Sequence, residues 1–161
     1  MTTFLEIKDH RLLLLKGPEA QKFLQGQVTC DIDQLAIINN ASKSILGAHC
    51  THKGRMLFSF LACQTDEDTV ALSIHAPLLV DAHAQLKKYS IFSKVELINA
   101  SESHRIIGYK GKNLAPLEAL GLAIPDLVGE ATHSASGITL IKLDDERFEL
   151  WVAAVNAQQV S

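Results

Sequence analysis

The sequence has few cysteines and no excess of positive charge. Its three cysteines, Cys30, Cys50 and Cys63, show no Cys-x-x-Cys spacing. They predict reduced thiols in a cytoplasmic protein rather than a disulfide framework or a structural zinc site. The formal net charge of −3 is not basic enough for an autonomous nucleic-acid binder, so we expect no direct DNA binding, and a role in RNA metabolism would not require this chain to bind RNA itself.

Long apolar runs are also missing. None reaches the roughly 18 residues that a membrane-spanning helix needs. The first ten residues contain Glu6 and Asp9 but no apolar signal core, so we expect neither a secretory signal nor a membrane partner. Apolar residues still make up 47% of the 161 residues, which is too many for a disordered chain and suits about one domain.

Short apolar runs alternate with two or three helical segments, which indicates an α+β fold. The strands predicted in the first hundred residues are 4–7, 11–16, 42–51, 56–64, 69–75 and 94–99. One helix is predicted at about 19–25, ended by Gly26, and a second behind Pro77, where apolar residues recur at helical spacing. Gly54 is expected to supply the positive φ of a hairpin turn.

The remaining residues predict a second, incomplete unit. Strands at 104–109, 138–143 and 147–152, with a helix at 113–120, give the order β-α-β-β, whereas a complete ferredoxin-like unit is β-α-β-β-α-β. We therefore expect a single region, 1–161, that consists of a first α+β unit, 1–100, and a partial second unit, 101–161.

The last two predicted strands carry an apolar face that needs cover. Its members are Ile138, Leu140, Phe148, Leu150 and Val152. Uncovered apolar faces with open edges pair with other chains. We expect either a homo-oligomer through this incomplete sheet or cover by a helix at 153–159.

Three segments resemble a known family. They are Gly-Pro-Glu-Ala-Gln-Lys-Phe-Leu-Gln-Gly-Gln-Val-Thr-Cys-Asp at 17–31, Gly-Ala-His-Cys-Thr-His-Lys-Gly-Arg-Met at 47–56, and Leu-Lys-Lys-Tyr-Ser-Ile-Phe-Ser-Lys-Val at 86–95. Their order and spacing resemble the YgfZ family, a branch of the folate-binding superfamily that includes the glycine-cleavage T protein. The resemblance implies the T-protein/YgfZ N-terminal folate-binding fold with ferredoxin-like elements.

The resemblance also implies a function. It implies a tetrahydrofolate-binding accessory protein in tRNA modification, which maintains iron–sulfur tRNA-modifying enzymes as its partners. Family members carry a Lys-Gly-Cys-x-x-Gly-Gln-Glu segment further along and a C-terminal barrel, and both are absent from this sequence. The resemblance therefore covers the N-terminal part of the family, and none of the three cysteines is expected to be the family's reactive cysteine.

The T proteins place a carboxylate pair just after the glycine turn. Here Phe58-Ser59 occupies that place, and neither side chain ionises near neutral pH. We therefore expect no catalytic residue, and a binding protein rather than an enzyme. The alternatives are an aminomethyltransferase-like one-carbon transferase and a truncated interaction module without a ligand.

Eight side chains are candidate folate-binding groups under this resemblance. They are His10, Gln25, Gln27, Thr29, Asp31, His49, Lys53 and Arg55. Segment 25–31 has a simpler interpretation as a helix end followed by turn residues. Lys53 and Arg55 could be solvated at a hairpin tip, or could contact a glutamyl tail or an RNA phosphate.

Two further patterns have competing interpretations. Lysines flank Tyr89 and Phe92, a pattern found in nucleic-acid binders, but we favour lysines that complement a helix dipole while the aromatic rings enter the core. Seven histidines are present, yet His49 and His52 lie three apart and would face opposite sides of a strand. No metal site is predicted.

Overall fold

The computed structural model describes residues 3–160; residues 1, 2 and 161, which belong to the predicted region 1–161, lie outside the described residues. The strands are β1 Thr3–Ile7, β2 His10–Lys16, β3 Ala41–Lys43, β4 Ile45–Cys50, β5 Met56–Asp66, β6 Thr69–His75, β7 Glu96–Asn99, β8 His104–Lys110, β9 Glu130–His133, β10 Thr139–Lys142 and β11 Arg147–Ala153. The helices are α1 Ala20–Gln25, α2 Leu79–Lys87 and α3 Ala115–Glu118, with 3-10 turns at Ile32–Leu35, Ala76–Leu78 and Ala154–Val160. The α+β class is confirmed.

Two antiparallel sheets form the framework. The six-stranded sheet has the order β1-β8-β11-β10-β9-β3, and the five-stranded sheet has the order β4-β5-β6-β2-β7. Strands from both predicted units share the six-stranded sheet, because β1 pairs with β8 and β3 pairs with β9. The chain changes sheets between β1 and β2, across Lys8 and Asp9.

The sheets stack face to face, and helical segments cover both outer faces. Along β2 the side chains alternate: Leu13 and Leu15 pack with α1 and α2, whereas Leu12 and Leu14 enter a core between the sheets. This alternation follows from the two-residue period of a strand. Trp151 of β11 is 2% exposed within the same intersheet core.

The apolar face predicted on β10 and β11 is covered within the chain. Its five side chains are buried in one cluster with Leu117 and Leu122. The C-terminal segment forms a 3-10 turn at Ala154–Val160, and Val160 and Ala157 pack against this cluster. Of the two expected outcomes, the structure therefore shows cover by the C-terminal segment.

Three elements differ from the sequence prediction. Segment 42–51 divides into β3 and β4, which belong to different sheets. The division falls at Ser44, whose amide and hydroxyl both donate to the Gly129 carbonyl at 2.7 and 2.8 Å. Strand β9 was not predicted, since Glu130–His133 is only four residues long and lacks an apolar alternation. The helix predicted at 113–120 is shorter, at Ala115–Glu118.

Candidate functional site

The loop after α1 lies against β4, so two of the three resemblance segments are adjacent. The Thr29 amide donates to the Ala48 carbonyl at 3.0 Å, and the Ala48 amide donates to Thr29 Oγ1, also at 3.0 Å. Val28 and His49 form an isolated antiparallel bridge beside them. We call this region, residues 25–31 with β4, the loop–strand region.

Most polar side chains of the loop are engaged within it. Gln25 Nε2 donates to the Cys30 carbonyl at 3.0 Å, and Gln25 Oε1 accepts from the Ile32 amide at 2.7 Å. Asp31 Oδ1 accepts from the Asp33 amide at 3.1 Å and caps the following 3-10 turn. These bonds support the simpler interpretation of 25–31 as a structured turn. The Gln27 side chain is half-buried.

His49 faces the helix-covered core rather than open solvent. It is 5% exposed, and its Nδ1–H donates to the Gln27 carbonyl at 2.7 Å. Its ring lies 5.4 Å from that of Phe58 and 6.4 Å from that of Tyr89. His49 therefore fixes the loop from its buried side. A ligand would reach the His49 ring only after the surrounding side chains moved.

Lys53 and Arg55 lie at the exposed tip of the hairpin between β4 and β5. The turn is closed by the Thr51 amide, which donates to the Arg55 carbonyl at 2.8 Å. Gly54 adopts a φ of +82°, as predicted, in a region that disfavours residues with a Cβ. The two cations are thus presented to solvent, where they are available to an anion.

His10 is not brought to the loop–strand region. It begins β2, which β6 and β5 separate from β4, a distance of about 14 Å at the usual strand spacing. Its Nδ1 lies 3.1 Å from Asp9 Oδ1, and its ring lies 5.7 Å from that of His75. The eight candidates therefore occupy three places: the loop–strand region, the hairpin tip and the start of β2.

A carboxylate that sequence reasoning missed lies near His10. Glu149 of β11 lines an open pocket of about 450 Å³ together with Leu5, Ile7, Lys110 and Arg147. Burial raises the pKa of Glu149. Two smaller effects lower it: the Trp151 indole N–H donates to Glu149 Oε1 at 3.1 Å, and the charge of His10 lies nearby. We call this the Glu149 pocket.

Gly108 lies in the wall of this pocket and, having no side chain, does not fill it. It pairs with Leu5 on one side and with Glu149 on the other. A Cβ at position 108 would lie 3.1 Å from Ile7 Cδ1, so any side chain there would crowd the pocket. Strand alternation places Glu149 on the face of β11 that Phe148 and Leu150 do not share. The sequence does not indicate that the second sheet partly covers this face.

The geometry offers no acid–base pair at the position used by T proteins. Phe58 is 3% exposed in the helix-side core, whereas Ser59 is exposed. Among residues 3–160 no cluster of three or more histidine, cysteine or carboxylate side chains is arranged to hold a metal ion. Within that same range no helix has the length and hydrophobicity to cross a membrane.

The thiols differ in their environments. Cys63 is fully buried, and burial raises its pKa to about 12. Burial also raises the pKa of Cys30, which is only partly buried. Cys50 is partly buried as well.

Comparison with known proteins gives matches along nearly the whole chain. The tRNA-modifying protein YgfZ of Photorhabdus laumondii is 32% identical over 161 residues, which cover 99% of this chain and 47% of that protein. The protein of the same name from Serratia proteamaculans is 31% identical over 160 residues, 98% of this chain and 47% of that protein. The chain is a homologue of the YgfZ proteins. No protein-family model matches it.

The fold has relatives among solved structures. Glycine cleavage system aminomethyltransferase T from Bartonella henselae superposes with a TM-score of 0.78 at 17% identity, covering 99% of this chain and 45% of that one. Heterotetrameric sarcosine oxidase from Corynebacterium sp. U-96 gives 0.63 at 12% identity. The expected T-protein-like fold is confirmed. The chain spans about half the length of the YgfZ proteins and the T protein that it matches.

Proposed function

We propose that this chain binds a reduced folate and serves tRNA modification as an accessory protein. The homologous YgfZ proteins are tRNA-modifying proteins by name, and the resemblance that carries the folate expectation extends over the same residues. Iron–sulfur tRNA-modifying enzymes are the partners that this proposal implies. Binding without chemistry fits the buried Phe58 at the T-protein carboxylate position.

The Glu149 pocket is the observation that carries the folate proposal. A pterin has an amino group and a ring N–H side by side, and a carboxylate can accept from both. A half-buried carboxylate in an apolar pocket is suited to this, since such sites combine apolar walls with a few fixed polar groups. Lys110 and Arg147, the latter ion-paired with Asp144, lie at the pocket rim and offer positive charge to the carboxylates of the glutamyl tail.

The loop–strand region is the second location for the ligand. It brings together Gln27 and Thr29, and the hairpin that follows β4 carries Lys53 and Arg55. Its polar side chains are mostly used within the loop. The two locations differ in one measurable respect: Trp151, the single tryptophan of the chain, contacts Glu149 and not the loop.

Titration with 5-formyltetrahydrofolate, followed by Trp151 fluorescence and by calorimetry, tests the proposal. We expect saturable binding that quenches Trp151, and a tenfold or greater loss of affinity in Glu149→Gln, because hydrogen bonds to a charged group contribute about 1.5–3 kcal/mol. The matched control is Glu102→Gln, an exposed carboxylate in the turn before β8. A triglutamate form should bind more tightly than the monoglutamate if the rim cations contact the tail.

The outcomes separate the two locations. Calorimetry could show binding without quenching of Trp151. If that binding is lost in Gln27→Ala but kept in Glu149→Gln, the ligand lies in the loop–strand region. Absence of binding by both methods at millimolar folate would reject the folate proposal for this chain.

A further inference from the structure

The segment between α2 and β7 combines exposed apolar rings with positive charge. Its exposed side chains are Lys87, Lys88, Tyr89, Ile91, Phe92 and Lys94. Phe92 is 98% exposed, Ile91 76% and Tyr89 46%. The interpretation favoured from sequence, in which the aromatic rings enter the core, is therefore wrong for Phe92. We call residues 87–94 the basic-aromatic segment.

The backbone of this segment is held by hydrogen bonds. The Tyr89 amide donates to the Leu86 carbonyl at 3.1 Å, and the Ser93 amide donates to the Ser90 carbonyl at 3.0 Å. Ser90 Oγ adds a bond to the Lys87 carbonyl at 2.9 Å. Phe92 is thus presented outward by an ordered turn, while Tyr89 lies beside His49 with about half of its surface exposed. A partner would not need to order the backbone first.

Contact with the start of α1 anchors the far end of the segment. The Lys94 amide donates to Glu19 Oε1 at 2.7 Å, and the Glu19 amide donates to the Lys94 carbonyl at 3.2 Å. Gly17 permits this approach: a Cβ there would lie 2.4 Å from the Lys94 carbonyl oxygen. The anchoring engages the backbone of Lys94 and leaves its side chain exposed.

The charge of the segment indicates the kind of partner. Residues 85–95 contain three lysines and no acidic residue. The ion pairs found among residues 3–160 involve none of these lysines. Protein–protein interfaces are depleted in lysine, so an apolar patch with three lysines suits a polyanion with flat rings better than another protein.

We propose that the basic-aromatic segment binds single-stranded RNA. Unpaired bases stack on Phe92 and Tyr89, while Lys87, Lys88 and Lys94 contact the flanking phosphates. Aromatic stacking within a positively charged surface is the common mode of single-strand binding, and it needs no particular base sequence. This inference goes beyond folate binding and does not depend on it.

The test is fluorescence anisotropy with a labelled ten-nucleotide oligouridine at a series of salt concentrations. Replacing Phe92 by Ala should weaken binding about tenfold, since one lost base–aromatic stack has roughly that effect. Replacing all three lysines by Gln should reduce the slope of log affinity against log salt by about 2, at about 0.7 for each phosphate contact to a single strand.

Matched controls lie elsewhere on the surface. Val155 is 88% exposed in the C-terminal 3-10 turn. The Val155→Ala variant tests whether loss of any exposed apolar side chain weakens RNA binding. Lys43→Gln on β3 tests a single exposed lysine outside the segment. Neither should change RNA affinity. Circular dichroism and folate titration of Phe92→Ala should match the unchanged protein, which separates failure of this proposal from failure of the folate proposal.

Three results would overturn the proposal. One is no anisotropy change at millimolar protein, and another is equal competition by duplex RNA, which would indicate charge alone. The third is self-association, measured by sedimentation, that the Phe92→Ala substitution abolishes although the variant binds oligouridine as tightly as the unchanged protein. That result would assign the segment to a protein contact instead.

Discussion

His133 and Ser42 are hydrogen-bonded across the edge of the six-stranded sheet, with Nε2 and Oγ 2.8 Å apart. The other ring nitrogen of His133, Nδ1, lies 3.1 Å from Thr139 Oγ1. Ser42 Oγ is also 3.7 Å from Cys63 Sγ on the five-stranded sheet. The imidazole thus belongs to a polar network that joins β3, β9 and β10 and reaches the second sheet.

This network predicts loss of stability in acid. Burial lowers the pKa of His133 below 6.5, so the folded state binds this proton less readily than the unfolded chain. Its contribution to stability is complete above about pH 6.5 and declines as the pH falls below that value. Urea unfolding between pH 7.5 and 5 should show a smaller decline in His133→Asn than in the unchanged protein.

His104 sets the control for this measurement. Burial lowers its pKa in the same direction, but it lies at the start of β8, beside Ser103. The double variant His104→Asn/His133→Asn should lose still more of the pH dependence. An identical decline in all three proteins would show that other groups control acid unfolding.

Glu149 predicts the opposite pH dependence. Burial raises its pKa in the folded state, so its ionisation reduces stability as the pH rises from about 4.5 through the folded pKa. Glu149→Gln keeps an acceptor for the Trp151 indole N–H and removes the charge. We therefore expect a higher melting temperature than that of the unchanged protein at pH 7.

The gain should vanish near pH 4, where the native carboxyl group is itself protonated. Calorimetry at both pH values checks this, with Glu102→Gln as the exposed control. A variant that is less stable at pH 7 would mean that the carboxylate is stabilised by its surroundings despite its burial.

Replacement of Phe58 should disrupt the core rather than restore chemistry. Phe58 is 3% exposed and packs with Phe60 and His49. Phe58→Ala should reduce the free energy of unfolding by about 3–5 kcal/mol, the usual loss for a buried phenylalanine. The exposed Leu57 replaced by Ala is the matched control and should lose less than about 1 kcal/mol.

We also expect no aminomethyl transfer by the unchanged chain, since Phe58 and Ser59 supply no carboxylate. A tetrahydrofolate-dependent formaldehyde-release or transfer assay checks this. Heat-sensitive turnover above background would contradict the binding-only proposal.

Thiol labelling should follow burial. Cys63 is fully buried, with a pKa of about 12, and the thiolate is the reactive form. Maleimide labelling followed by mass spectrometry should modify Cys30 and Cys50 while Cys63 stays unlabelled until urea is added. Native labelling of Cys63 at the rate of Cys30 would show that the intersheet core opens.

Local sequence patterns predicted much of the framework. Strand β6 was predicted with the bounds that the structure shows, and the positive φ of Gly54 was predicted from its place between two apolar runs. Both depend on residues close in sequence, which turn geometry and strand alternation constrain directly. Strand β9 was missed because its pairing with β3 and β10 stabilises it more than its own composition.

The candidate site shows the same division. The resemblance segments at 17–31 and 47–56 were identified in the sequence, and the Thr29–Ala48 bonds join them in the structure. The burial of His49 and the distance of His10 from that loop were not predictable, because both depend on strand order within the sheet.

The sequence by itself determined the α+β class, the main strands and the absence of a carboxylate at positions 58 and 59. These follow from composition, periodicity and residue identity. Only the tertiary structure decided that Glu149 lines a pocket and that Phe92 remains in solvent. Exposure depends on which distant strands and sheets cover a face, and those contacts join residues that are far apart in the chain.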